Sequence, residues 1–450
     1  MSKVLLVINH SDRDGPALQV IEQRLHDADP NIQTLRLEWR APDFFEQAYT
    51  FCPDLVLSFP FTAHTCCRPV LALKIFCGSR VVCYRTEGGM IERSPESDQS
   101  FIGYDDYPAE LVDLEIFWGW RMDDVVGNAL IKSKRLKSML NCKVAGYVEY
   151  EKYFKGLSTQ WVKDKPAAIL FVTGFHAADY SHQDIVNARD WYDPACADPN
   201  AELIKALERA ALASSFRQLW IKHILQSAKD NPDVYHIIKP HPIEQIIFER
   251  KKINPYSAFN GIANIQYSTD SLAAYLPCCG LFLHYGSTAI AASILAEVPS
   301  VFVMSETVYP DRLKSEYVEL SDMSVDITKL SNLVRLYADN GFVHTLTDAK
   351  REMLFEVFNI SAEQLETRKG YAPSADIARM IFEVLEKPAQ PVNGAHPVTI
   401  SVFQEYQERV RKLSLDQHSG QPHQAATRRK KAGGSIQAPA GRRHPIQTLR

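Results

Sequence analysis

The chain contains no apolar run as long as the ~18 residues that a membrane-spanning helix needs. Its N-terminus, MSKVLLVINHSDRDG, reaches charged residues too early for a secretory signal peptide. There is no CxxC pair, and the nine cysteines are an odd number that includes two adjacent pairs. We therefore expect a cytoplasmic protein with buried, reduced thiols, and we expect neither a disulfide framework nor a zinc knuckle.

An excess of positive charge is also missing. The 450 residues include 50 Lys and Arg against 54 Asp and Glu, for a net charge of −4, which excludes a general affinity for nucleic acid. With 46% hydrophobic and 23% charged residues, the composition is that of an ordinary globular protein. At ~100–200 residues per domain, this length predicts two or three domains.

The charge is unevenly distributed along the chain. After Asp416 there are seven Lys or Arg and no acidic residue, so the body that precedes this segment carries a net charge of −11. From about residue 417 the sequence is rich in Gln, Gly, Ala, Pro and His, which predicts a disordered basic tail. Such a tail is a candidate for peripheral contact with anionic lipid at the inner face of the membrane, and a solvated linker is the alternative.

Short apolar runs alternate with helical patterns twice along the chain, which predicts an α/β fold with two Rossmann-like domains facing a central cleft. The predicted domains are residues 1–155, residues 156–390, and a short helix with the basic tail at 391–450. A further helix is predicted over 374–385, with Ser374 as its N-cap. The predicted strands are 3–9, 32–39, 54–59, 80–85, 114–119, 143–148, 167–175, 234–242, 264–268, 280–286 and 300–304.

The sharpest local feature is KPHP, at the end of the predicted strand VYHIIKPHP. Lys239 and His241 are two residues apart, so in a strand they share one face. The carboxyl ends of parallel strands are where open α/β sheets bind ligands. A fixed cation beside an imidazole donor is suited to a phosphate. The alternative is a rigid strand exit with a surface lysine.

A second feature lies in HYGSTAIAASILAEVPSVFV, where an apolar strand ends at Gly286 and a helix follows. Ser287 and Thr288 are good N-cap residues, and a helix start presents free N–H groups to an anion. Gly286 would let that anion approach the backbone. Ordinary helix capping without a ligand is the alternative.

Two further polar features follow predicted strands. Glu87, before a Gly-Gly pair, is placed where a general base for an acceptor hydroxyl belongs, unless it is merely a polar residue before a turn. The loop GFHAADYSHQD includes Asp179, which could act as a nucleophile or base, and the alternative is a solvated loop. Its His and Asp residues match no tight metal-ligand spacing.

KPHP, followed some forty residues later by GST, resembles the HP and S-S/T motifs of bacterial sialyltransferases and capsular Kdo transferases. The order TEGG, VAGYVEY, ILFVTGF, KPHPIE, HYGSTAIAA resembles the surface carbohydrate biosynthesis proteins over roughly residues 1–390. The resemblance implies a GT-B glycosyltransferase of bacterial surface polysaccharide biosynthesis, such as capsule or O-antigen. It also implies that the two motifs hold the phosphate and ribose of a CMP-activated sugar donor.

ILFVTGFHAADYS resembles the segment of retaining β-Kdo transferases that carries their catalytic aspartate. By that resemblance, Gly174 matches the family's glycine and Asp179 its nucleophile. The family's chemistry then implies covalent capture of the sugar on Asp179, loss of CMP, and delivery to a surface glycan or lipid-linked acceptor with retention. No metal cofactor is implied, because no DxD motif is suitably placed and a CMP leaving group carries less charge than a diphosphate.

Other functions fit the same frame. A CDP-glycerol-type polyol-phosphate transferase would also use an HP histidine and a Ser-bearing motif, without a sugar nucleophile. A UDP-sugar epimerase or UDP-sugar transferase shares the two-domain fold. A GT-B-like module that binds glycan without catalysis is the alternative of a different class.

Overall fold

The computed structural model describes residues 1–9, 11–59, 64–85, 107–108, 110–127, 141–154, 168–187, 198–270, 272–305 and 316–419. Glu87 and the basic segment beyond residue 419 lie outside these ranges. Within them, no helix combines the length and the apolar character needed to cross a membrane.

The N-terminal part forms a six-stranded parallel sheet in the order β2-β1-β3-β4-β5-β6. Along β1, Val4 and Leu6 face one core while Leu5 faces the core on the other side of the sheet. Both faces are therefore covered, which explains why the strands read as continuous apolar runs. The strands are β1 (Lys3–Ile8), β2 (Gln33–Glu38), β3 (Leu55–Ser58), β4 (Arg80–Tyr84), β5 (Leu114–Phe117) and β6 (Cys142–Val144).

Helices cover this sheet on both faces. Ile21 of the first helix packs with Leu6, and Leu71 of the third packs with Leu5 on the opposite face. A 3₁₀ helix, Val148–Phe154, follows β6. The N-terminal helices are α1 (Ser11–Ala28), α2 (Phe44–Phe51), α3 (His64–Cys77) and the short α4 (Trp120–Met122), which runs into a π-helical turn, Asp123–Gly127.

The C-terminal part forms a second six-stranded parallel sheet, in the order β12-β11-β10-β7-β8-β9. Numbered from its own first strand and read from the β9 edge, this is the 3-2-1-4-5-6 order of a Rossmann sheet. The strand β12 was not predicted, because it is short and only partly buried. The strands are β7 (Ala168–Val172), β8 (Tyr235–Lys239), β9 (Ile265–Tyr267), β10 (Leu281–His284), β11 (Ser300–Met304) and β12 (Met323–Asp326).

The second sheet is also covered on both faces. Trp220 and Phe248 pack with Phe171 on one face, and Ile290 packs with Leu170 on the other. The predicted α/β, GT-B-like fold with two Rossmann-like sheets is thereby confirmed. The helices are α5 (His182–Asn187), α6 (Pro199–Asp230), α7 (Pro242–Lys251), α8 (Leu272–Tyr275), α9 (Ile290–Leu295), α10 (Glu316–Leu320), α11 (Leu330–Asn340), α12 (Asp348–Phe358) and α13 (Ala362–Thr367).

The last two helices return to the N-terminal sheet. α14 (Pro373–Leu385) packs against α1, and α15 (Pro397–Ser419) packs against α2 and α3. The predicted N-cap role of Ser374 is wrong, because α14 begins at Pro373 after Ala372 and Ser374 lies inside the first turn. The Ser374 N–H instead donates to the carboxylate of Glu151, 2.5 Å away, so a neighbouring element satisfies this helix end.

An aromatic cluster joins the two halves. Tyr147 lies 4.3 Å from Trp118 and Tyr150 lies 4.9 Å from Phe358, measured between ring centroids. The Tyr371 hydroxyl accepts from the Tyr147 N–H at 2.8 Å and donates to the Phe358 carbonyl at 2.9 Å. These contacts belong to a core that is continuous with both sheets, which holds the carboxyl edges of the two sheets in a defined relation.

Candidate functional site

The site is built where the strand order of the C-terminal sheet reverses. β7 and β10 are neighbours there, although more than a hundred residues separate them, and their connections leave toward opposite faces. A crevice at the carboxyl ends of two such strands is the usual ligand site of an open α/β sheet. The Tyr285 hydroxyl, after β10, donates to the Gly174 carbonyl, after β7, at 2.6 Å. The two strand exits are thus tied together.

Lys239 ends β8, next to this crevice, and pairs in register with Val172 of β7. Lys239 is only 7% exposed. Among the residues that the structure describes, its ammonium has no hydrogen-bond or ion-pair partner. Burial lowers the pKa of Lys239, and the more distant charges of Asp270 and Glu244 oppose that shift. A buried cation without a partner is costly, so this position is suited to an anionic ligand.

His241, two residues on, caps the N-terminus of α7. Its Nδ1 accepts a hydrogen bond from the Ile243 N–H at 3.2 Å. That bond requires Nδ1 to be unprotonated, so the neutral ring carries its proton on Nε2 and presents a donor there. The imidazole is half-buried, and the helix start fixes its orientation. Because β8 ends at Lys239, His241 lies in the helix cap and not on the strand face that it was expected to share with Lys239. The pairing of the two as phosphate donors stays a prediction.

The backbone N–H groups of the GST segment, residues 286–288, are not all free, although free N–H groups had been expected. His284, the last residue of β10, is fully buried, and burial lowers its pKa to about 3, so the ring is neutral. Its Nδ1 accepts from the N–H groups of Gly286 (3.2 Å) and Ser287 (3.4 Å), while Nε2 pairs with Ser321 Oγ at 3.1 Å. Two of the N–H groups that we assigned to an anion are therefore bonded within the protein.

The helix after this segment begins later than predicted. α9 starts at Ile290 after Ala289, and the Ser287 hydroxyl caps the preceding turn by accepting from the Ala289 N–H at 3.2 Å. Gly286 has a φ of +116°, a conformation that suits glycine alone. The residue Ser287 is half-buried, and Thr288 is exposed.

The predicted site residues of the C-terminal sheet lie along one edge. β8 and β10 flank β7, which separates Lys239 from the exit of β10 by about two strand spacings, or ~10 Å. Lys239 also shares its sheet face with Ile237, which packs in the same core as Ile290 of α9. The structure therefore brings Lys239, Gly174 and the segment from Gly286 to Thr288 to one side of the crevice.

Asp179 lies elsewhere and is fully engaged. Both carboxylate oxygens face the guanidinium of Arg217 on α6, with Oδ1 at 2.7 Å from Nη2 and a second contact between Oδ2 and Nη1. The two side chains are only 11% and 8% exposed. Lys251, at the end of α7, donates to the Asp179 carbonyl. α6 and α7 pack on the sheet face opposite Lys239. This arrangement favours a structural role for Asp179 over the predicted nucleophile.

Glu244, the last residue of the KPHPIE motif, supports the crevice, and no role was predicted for it. It is fully buried and accepts from Thr173 Oγ1 (2.9 Å), the Phe175 N–H (2.7 Å) and the Tyr256 hydroxyl (2.7 Å). Burial raises its pKa, and these hydrogen bonds oppose that shift. Glu244 thus locks the exit of β7 onto α7. An acidic residue in the first turn of a helix was the available signal.

A polar group also follows β9. The Tyr275 hydroxyl donates to Asp270 Oδ2 at 2.7 Å and contacts the Ser268 hydroxyl. The charge of Asp270 acts on Lys239 from a distance and favours the charged form of the lysine. In the described part of the chain, no three His, Cys, Asp or Glu residues are placed to hold a metal ion.

No family model matches the chain, and the search of curated proteins found no relative. Among solved structures, the chain is similar to the UDP-GlcNAc 2-epimerase of Methanocaldococcus jannaschii with UDP-GlcNAc and UDP, at 10% identity and a TM-score of 0.49, over 85% of this chain and 99% of that one. It is also similar to the S. aureus MnaA-UDP structure, at 9% identity and a TM-score of 0.45, over 86% of this chain and 97% of that one. A third similar structure is that of the H548A variant of the wall teichoic acid polymerase TagF, at 10% identity and a TM-score of 0.47, over 86% of this chain and 89% of that one.

Proposed function

We propose that the protein is a glycosyltransferase that binds the phosphate of a nucleotide-activated sugar at the carboxyl edge of its C-terminal sheet. One observation carries this proposal: Lys239 is buried beside the strand-order reversal with no partner in the described structure. A donor phosphate would supply the missing charge, and the Nε2–H of His241 would supply a hydrogen bond. Both groups would then stabilise the negative charge that develops on the leaving nucleotide.

The motif resemblance supports a finer form of the proposal. KPHP and GST in this order favour a CMP-activated donor, with Kdo or a related 2-keto-3-deoxy acid as the sugar and a surface polysaccharide or lipid-linked glycan as the acceptor. A single phosphate needs few cations, and Lys239 with His241 is a set of that size. A metal ion has no part in the step as we propose it.

A second candidate, polyol-phosphate transfer from a donor of the CDP-glycerol type, is favoured by one specific observation. Asp179 is paired with Arg217 through both oxygens, so it is poorly placed to capture a sugar covalently. In polyol-phosphate transfer the acceptor hydroxyl attacks phosphorus directly, and no carboxylate nucleophile is needed. The same Lys239 would neutralise the same leaving nucleotide.

Calorimetric titration with CMP, UMP and UDP tests the binding step. We expect CMP to bind the wild-type chain and binding to fall by at least tenfold in Lys239→Met. Lys252→Met, a change of an exposed lysine just after α7, is the matched control and should bind as the wild type does. Equal affinity of the wild type and Lys239→Met for CMP would refute the assignment of Lys239 to the phosphate.

Incubation with CMP-Kdo and, separately, with CDP-glycerol then identifies the reaction. Release of CMP, with a mass adduct of one sugar on the intact protein, would support a covalent glycosyltransferase. Release of CMP from CDP-glycerol alone would support polyol-phosphate transfer. Nucleotide binding without turnover of either donor would support the binding module instead.

A further inference from the structure

One carboxylate of the N-terminal half, Glu149, lies on the short 3₁₀ helix that contacts the segment after β10. The 3₁₀ helix Val148–Phe154 crosses the carboxyl edge of the N-terminal sheet on its way from β6 toward α1. It is anchored by the Val148 N–H, which donates to the hydroxyl of Tyr84, the last residue of β4, at 3.1 Å. Glu149 is the next residue, and its side chain is 26% exposed.

The same helix reaches the C-terminal sheet through Tyr150. The Tyr150 hydroxyl lies 3.5 Å from the carbonyl oxygen of Thr288, in the segment that follows β10. Consecutive residues of a 3₁₀ helix point about 120° apart, because each turn contains about three residues. The buried ring of Tyr150 therefore faces the GST segment, while Glu149 emerges on an adjoining, solvent-accessible side of the helix.

Glu149 is surrounded by groups that adjust its basicity. Burial raises the pKa of Glu149, Lys152 one turn along lowers it from 3.8 Å, and the buried carboxylate of Asp14 at the start of α1 raises it. Among the residues that the structure describes, the phenols of Tyr84, Tyr150 and Tyr153 also interact electrostatically with Glu149. The net effect is a carboxylate that is a stronger base than an exposed glutamate.

We propose that Glu149 is the general base that removes the proton of the acceptor hydroxyl, an inference that rests on the proposed transferase function. The hydroxyl proton passes to the Glu149 carboxylate as the acceptor oxygen bonds to the transferred group. The bond between that group and the nucleotide breaks, and its electron pair leaves with the nucleotide phosphate beside Lys239. Glu149 later returns the proton to water. The step is the same for sugar and polyol-phosphate transfer.

The test measures CMP release from CMP-Kdo and from CDP-glycerol, with water as the acceptor. Glu149→Gln should lower kcat by ~10²-fold or more, while CMP affinity stays within about twofold of the wild type. Glu149→Asp should retain part of the activity, because it keeps a carboxylate. The control Glu38→Gln, at an exposed residue on the edge strand β2, should leave kcat unchanged.

The pH profile separates a base from a structural carboxylate. Lys152→Gln removes a cation that lowers the Glu149 pKa, so the acidic limb of kcat should move to higher pH. Asp14→Asn removes an anion that raises it, so the limb should move to lower pH. Lys152 is partly exposed, and its variant tests the inference even where Asp14→Asn fails to fold.

The outcomes are distinct. Half or more of the wild-type kcat in Glu149→Gln, or an acidic limb that Lys152→Gln does not move, would overturn the role of Glu149. A loss confined to Glu87→Gln would assign the base to Glu87 and overturn it as well. No CMP release by the wild-type chain from either donor would instead overturn the proposed function, and this inference with it.

Discussion

Replacing Lys239 by methionine should stabilise the protein in the absence of ligand, although it removes a residue of the candidate site. Lys239 is 7% exposed, and no described residue pairs with its ammonium. The buried charge costs several kcal/mol before the distant carboxylates of Asp270 and Glu244 offset part of it. Methionine fills a similar volume without that charge. We therefore expect the free energy of unfolding to rise by about 1–3 kcal/mol.

The sign of the pH dependence gives this prediction a second check. The pKa of Lys239 is lower in the folded chain than in the unfolded chain, so the unfolded state binds more protons between those two values. The wild-type penalty is complete below the folded pKa and disappears as pH rises toward ~10.4, the ordinary pKa of lysine. The stability difference between Lys239→Met and the wild type should shrink over that interval.

Urea unfolding of the ligand-free proteins at several pH values measures both quantities. Lys350 provides the matched control, because it is also buried but its Nζ lies 2.6 Å from Asp322 Oδ1. Lys350→Met leaves that carboxylate without its cation and should destabilise the protein by about 3 kcal/mol or more. A Lys239→Met variant that is less stable than the wild type, or equally stable at every pH, would refute the assignment of Lys239 as an unpaired buried cation that binds an anionic ligand.

Two further substitutions test how the site is supported. Asp179→Asn should destabilise the protein by about 3 kcal/mol in urea unfolding, because it leaves Arg217 buried without a counter-charge; unchanged stability with complete loss of CMP release would restore Asp179 as a nucleophile. Glu244→Gln should cost about 1–3 kcal/mol and weaken CMP binding in calorimetry, because an amide cannot accept from all three donors at the exit of β7; full CMP affinity in a destabilised Glu244→Gln would show that the loop does not depend on this carboxylate.

Some residues of the candidate site can be predicted from the local sequence pattern alone. Lys239 could be predicted because a polar residue ends an apolar strand, and such ends collect at one edge of a parallel sheet. The environment of Asp179 cannot be predicted from the local sequence pattern. Its partner Arg217 is 38 residues away on a helix whose rotation is set by packing of Phe216 and Trp220 against the sheet. No local pattern distinguishes a carboxylate that meets a guanidinium from one that faces a cleft.

The amino-acid sequence by itself determined most of the strands, their grouping into two Rossmann-like sheets, and the strand ends that bear polar side chains. These features depend on apolar periodicity and on turn-forming residues, which act over only a few positions. Only the tertiary structure decided that β7 and β10 are neighbours, that His284 takes two of the amides after β10, that Glu244 locks the exit of β7, and that Tyr150, the residue after Glu149, reaches the Thr288 carbonyl. Each of these depends on which buried groups meet when distant segments pack. In a low-dielectric interior most donors, acceptors and charges are paired, and their partners come from segments that are close in space rather than in sequence.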